Sequence, residues 1–138
     1  MGIVANRAGP GGLELFHAAV LAGALPLFLA AHLCDHAYSR FHEIQWSNFA
    51  SWLLIGAMVL ATIALACALL GGYRGRQRAL YLLLLVATWV VGFFAALQHG
   101  RDAWAIMPAA MYLTAAAFLP ALLATWLAFA GLRPGGVR

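Results

Sequence analysis

Four long apolar runs, separated by short polar stretches, set the pattern of the chain. The first, "LELFHAAVLAGALPLFLAAHLC", covers Leu13–Cys34. The second, Phe49–Leu70, carries no charge, and the third covers Leu80–Gln98. The fourth runs from about Ala105 to Ala130. A membrane-spanning helix needs about 20 apolar residues at roughly 1.5 Å rise each, and each run reaches that length. Backbone polar groups cannot go unpaired in hydrocarbon, so such runs must be helical. A barrel would show short alternating strands, and none is visible. The pattern predicts helices over about 13–35, 49–71, 79–98 and 104–131, in a single transmembrane domain covering 1–138. The links "GGYRGRQR" (71–78) and "HGRDAW" (99–104) are short, which makes neighbouring helices antiparallel. The expected fold is all-α, an integral membrane up-down four-helix bundle.

Composition agrees. The chain is 65% hydrophobic and 9% charged, with a mean hydropathy of +0.90. Soluble domains carry about 25% charged residues, so a water-soluble globule is excluded. The net charge of +4 comes from eight arginines without lysine. These sit between apolar runs, not interleaved with aromatics on one face, so no nucleic-acid partner is expected. Arg74, Arg76 and Arg78 occupy the second link, with Arg7 before the first helix and Arg133 and Arg138 after the fourth. The other side holds only Arg40 and Arg101. The positive-inside rule then predicts both termini in the cytoplasm of a multi-pass protein of the bacterial inner membrane. The first and third links would face the periplasm. "MGIVANRAGPGG" reads as a short lead and not a cleaved signal, because the apolar run after it contains Glu14 and His17. Cys34 and Cys67 fall near opposite membrane faces, too far apart for a disulfide.

This topology gathers chemistry at the outer face. In "HLCDHAYSRFHEIQW" (32–46), His36 and His42 fall in the first link, while His32 lies within the first helix. His99 ends the third. Counted from the helix midpoints, His32 is roughly 10 Å and His99 roughly 15 Å outward, so their imidazoles can meet across the bundle. Two histidines on separate helices suit a b-type haem held through axial iron ligands. Arg40 and Arg101 would pair with its propionates, and Trp46, Trp104 and Tyr38 would shield its edge or anchor at the interface. An alternative leaves the histidines among headgroups, partnered by Asp35, Glu43 and Asp102. A zinc or copper site on His32, His36 and His99 is a third reading. His17 and Glu14, at the inner end of the first helix, are expected to pair with each other or with arginine. No nucleophile or phosphate-binding loop is evident.

Two stretches carry a resemblance: "EIQWSNFASWLLIG" (43–56) and "HGRDAWAIMPAAMYLTA" (99–115). They resemble a family of small bacterial four-helix membrane proteins classed as a domain of unknown function. Members are often found beside periplasmic PQQ-dependent sugar dehydrogenases of the sorbosone type. The likeness extends weakly to residues 16–35. The matching positions are His99, Arg101, Asp102 and Trp104, then Trp46, Ser47 and Asn48, then His17 and Asp35. The family's fourth helix often ends in a Tyr-Arg-His-Gly-Val type tail, whereas "TWLAFAGLRPGGVR" has no histidine. The resemblance implies a membrane partner for a periplasmic dehydrogenase. Two functions are therefore expected. One is a small b-type cytochrome-like protein, with His32 and His99 on haem iron, passing electrons from a dehydrogenase toward quinone or a cytochrome. The other is a cofactor-free anchor or accessory subunit, docking through Trp46, Arg101, Asp102 and Trp104. Either could form a homodimer or join a larger complex, and neither is a stand-alone enzyme.

Overall fold

The computed structural model of the protein describes residues 9–132, so Arg7, Arg133 and Arg138 lie outside the described residues. Its elements are α1 (Gly12–Phe41), α2 (Ile44–Cys67), α3 (Arg78–His99), α4 (Ala103–Ile106) and α5 (Ala109–Leu132). A widened π-turn, Ala68–Gly72, closes α2. Among the described residues there is no strand. α1, α2 with its π-turn, α3 and α5 are each long and apolar enough to cross a membrane, the pattern of a multi-pass membrane protein.

The buried positions recur at alternating steps of four and three. In α1 they are His17, Leu21, Ala24, Phe28, Ala31, Asp35 and Tyr38, with Ala18 buried beside them. In α3 they are Tyr81, Leu85, Thr88, Gly92 and Ala95. A 3.5-residue spacing keeps one seam facing the neighbours along the whole helix. Alanine fills most of the seam of α2 and α5, which lets backbones approach closely. Gly92 marks one close approach: a Cβ there would lie 2.5 Å from the Met58 sulfur and 3.3 Å from Phe28 Cε1. The faces away from the seam carry exposed Leu, Phe, Val and Trp side chains, as a lipid-facing surface requires.

Element ends differ from the sequence expectation in three places. α1 continues past residue 35 to Phe41 and α2 begins at Ile44, ahead of residue 49. The residues between are polar, but none is Gly or Pro, and polarity alone does not end a helix. His36 and Arg40 are therefore helical, and only His42 and Glu43 connect α1 to α2. His42 turns the chain with a left-handed backbone (φ 56°, ψ 22°), its N–H donating to the Tyr38 carbonyl. The fourth predicted helix is divided, because Met107 is extended (φ −92°, ψ 147°), the conformation favoured before a proline. At the close of α2, Gly71 takes a φ of 101°, and Arg78 donates to the carbonyls of Ala68, Leu69 and Tyr73 at 3.4–3.5 Å. Pro26 and Pro120 sit inside continuous helices.

Candidate functional site

Polar side chains on the buried seam form two clusters. They contain Asp35 and His17 respectively, eighteen residues apart on α1 and so about 27 Å apart along it.

The first cluster joins α1, α3 and α5. Asp35 is fully buried. Its Oδ1 lies 2.8 Å from His99 Nε2, and its Oδ2 accepts from the Thr114 hydroxyl at 2.9 Å. His99 Nδ1 donates to the Ala95 carbonyl at 2.8 Å. His32 Nδ1 lies 3.3 Å from the Thr114 oxygen. The chain of contacts therefore runs from His32 through Thr114 and Asp35 to His99. Because Nδ1 of His99 must carry a hydrogen to reach a carbonyl, a single further proton is shared between Nε2 and Asp35. The pair is either an ion pair or a neutral acid hydrogen-bonded to an imidazole. Side-chain exposure is 2% for His99 and 0% for Asp35, so water cannot substitute for either partner.

His32 and His99 belong to one cluster, but they contact Thr114 and Asp35 respectively and not each other. They do not fit a bis-imidazole haem. The Nε2 of His99 that would face iron is in contact with Asp35, and its Nδ1 is bonded to the backbone, so no lone pair is free. The alternative partnering of histidine by Asp35 matches this geometry, at a buried position and not among headgroups. The three-histidine metal reading fails as well: His36 is exposed while His32 turns toward Thr114. No group of three or more metal-ligating side chains occurs among the described residues. Arg40 is exposed, and Arg101 donates to Gln98 Oε1 at 3.4 Å. Trp104 is 87% exposed, whereas Trp46 is half-buried against Tyr38 and Ile106.

The second cluster joins α1, the 71–78 link and α3. His17 is 1% exposed. Its Nε2 is hydrogen-bonded to the Tyr81 hydroxyl, and its Nδ1 is buried with no hydrogen-bond partner of good geometry among the described residues. Tyr81 stacks on Tyr73 with ring centroids 4.0 Å apart and planes at 20°. Burial raises the Tyr73 phenol above its ordinary range, so it keeps its proton at neutral pH. The expected pairing of His17 with Glu14 or arginine is replaced by Tyr81. Glu14 instead accepts from the Gly11 N–H at 3.1 Å and caps α1. A cavity of about 20 Å³, lined by Glu14, His17, Gly72, Tyr73 and Arg74 among others, lies against the dyad. The sequence reading missed Thr114, Tyr73 and Tyr81. Their signal was the spacing: Tyr81 and Thr114 fall on the same four-three seam as the apolar residues beside them.

No family model, no curated protein and no solved structure matches this chain.

Proposed function

We propose that the protein is a cofactor-free anchor or accessory subunit of a dehydrogenase or respiratory complex in the bacterial inner membrane. The observation that carries this reading is the use of both ring nitrogens of His99 within the fold. His99, Asp35 and Thr114 pin three helices together, which is a scaffolding role. The exposed collar of Arg101, Asp102 and Trp104, beside half-buried Trp46, is the docking surface for a periplasmic partner. The resemblance to membrane proteins found beside PQQ-dependent sugar dehydrogenases supports a partner of that class. The helices run up-down with both termini in the cytoplasm, a reading supported by Arg74, Arg76 and Arg78 crowding one link.

A reduced-minus-oxidised spectrum of the purified protein is the test of the cofactor-free reading. No Soret shift is expected. A haem Soret band that disappears in His99→Ala would overturn the proposal and restore the cytochrome reading. Orientation is checked by labelling single cysteines in a variant lacking Cys34 and Cys67. Trp104→Cys should react with an impermeant thiol reagent from the periplasm, and Arg76→Cys only after the membrane is opened.

A further inference from the structure

The geometry points to a binding site for a quinone headgroup beside the His17–Tyr81 pair. The inference rests on the membrane reading above, and not on the docking of a dehydrogenase.

The floor of the site is unusual for a buried seam. The Tyr81 hydroxyl is fully buried, and its partner is His17. A phenol with one nearby acceptor donates its hydrogen to it, which makes Nε2 the acceptor and puts the imidazole hydrogen on Nδ1. Among the described residues that Nδ1–H has no hydrogen-bond partner of good geometry, the Ala64 backbone offering only a weak contact to the ring. Buried donors are almost always paired, so this one calls for an acceptor from outside the chain. The cavity against it is about 20 Å³, room for one ligand oxygen or a single water.

The cavity does not end there. Tyr73, Gly75 and Gly131 line it and also line a cleft of about 440 Å³, bounded further by Gln77, Leu127 and Ala130. That size falls within the range of small-molecule sites, about 300–1,000 Å³. The narrow floor offers the His17 Nδ1–H, with Tyr73, Arg74 and Glu14 around it. The aromatic ring common to floor and cleft is Tyr73, held in place by stacking on Tyr81 behind it. The outer cleft has the apolar flank of α5 (Leu127, Ala130) on one side and Arg76 and Gln77 of the link on the other. A ligand that fits all three parts has a carbonyl oxygen at one edge, a flat ring and an apolar tail. A quinone has them together. A glycerophospholipid offers carbonyls and tails but no ring for Tyr73. Gly75 keeps the neighbourhood of Tyr73 open, since a Cβ there would lie 2.3 Å from the phenol oxygen.

The test uses the full chain in phosphatidylcholine nanodiscs with 15N-labelled histidine, which also establishes that the chain inserts. The probe is a benzoquinone carrying one isoprenyl unit, added without any dehydrogenase. The expected result is a saturable movement of the His17 Nδ1 resonance, with the other four histidines unmoved. Ala130→Trp fills the outer cleft without touching the dyad and should raise the half-saturation concentration at least tenfold. Tyr81→Phe, which frees the imidazole to change tautomer, should weaken binding similarly. A resonance that stays fixed at saturating quinone overturns the proposal, as does a linear response without plateau, which is partitioning into lipid. A shift already present in quinone-free nanodiscs and unchanged by quinone means a lipid or water is the acceptor, and overturns it too. Equal half-saturation in the wild type and Ala130→Trp has the same force.

Discussion

Replacing Asp35 by alanine is the sharpest test of the outer cluster. The substitution leaves His99 Nε2 and the Thr114 hydroxyl facing a cavity, at sites where side-chain exposure is 2% or less. Two effects of different size are involved. A single interhelical hydrogen bond in a membrane protein contributes only about 0.6 kcal/mol on average and about 1.7 at most. Removing one partner of a buried acid–imidazole pair costs more, about 3–5 kcal/mol where the pair is ionic, because the other is left uncompensated. Asp35→Ala should therefore destabilise by about 3–5 kcal/mol. Thr114→Val keeps the shape and loses the hydroxyl's contacts with Asp35, His32 and the Ala110 and Met111 carbonyls, so it should cost about 0.6–1.7 kcal/mol. The double variant Asp35→Leu/His99→Leu removes both polar groups and replaces them with apolar volume. It should recover most of the Asp35→Ala loss. The assay is loss of helical circular dichroism on titrating SDS into mixed micelles, with refolding shown to be reversible. Two results would refute the reasoning: an Asp35→Ala cost no larger than that of Thr114→Val, or a double-leucine variant as unstable as the single one.

Three further outcomes follow from the packing and are read in the same SDS titration. Gly92→Val should cost about 1–3 kcal/mol from overpacking against Met58 and Phe28, while Gly92→Ala should cost less because the methionine end can swing away. Gly71→Ala should cost about 1–2 kcal/mol from its positive φ alone, since nothing lies within 4 Å of its would-be Cβ; a neutral result would mean the turn has another conformation. Trp89 Nε1 donates to Thr62 Oγ1 at 2.9 Å, between α3 and α2 on an exposed face. Thr62→Val should cost about 0.6 kcal/mol and shift the tryptophan emission of Trp89.

The four spans were legible because hydrocarbon imposes one rule on length and polarity, and the chain obeys it. Their ends were less so. Residues 36–48 look like a loop by polarity, yet they lack any residue that breaks a helix, and α1 and α2 run almost to each other. That His32 and His99 fall in one cluster was legible from depth along each helix. What stood between them was not. Asp35 lies next to the polar stretch and reads as an interfacial acid, and only its place on the four-three seam turns it inward. Thr114, Tyr73 and Tyr81 were passed over because a lone threonine or tyrosine in an apolar run signals nothing by type. For Thr114 and Tyr81 the register with the seam is the information, whereas Tyr73 lies in the link and has no such register. Which residue on α3 or α5 meets which on α1 depends on the relative height of the helices, and sequence spacing does not fix that to within one turn.

The alanine seam also decides which mutations this protein can tolerate. In a core of leucine and phenylalanine, damage comes mainly from truncation, which opens holes. Here most interior positions are already near the smallest side chain, so there is little left to truncate. Ala24, Ala31, Ala57, Ala95, Ala117 and Ala121 are all fully enclosed, and nearly every substitution at them adds volume where two backbones meet. An alanine also has no rotamers to lose on assembly, so joining the helices orders few side chains. Random variation of the interior should therefore be selected against almost entirely for bulk. The permitted replacements would narrow to glycine and serine, whatever the hydrophobicity of the newcomer.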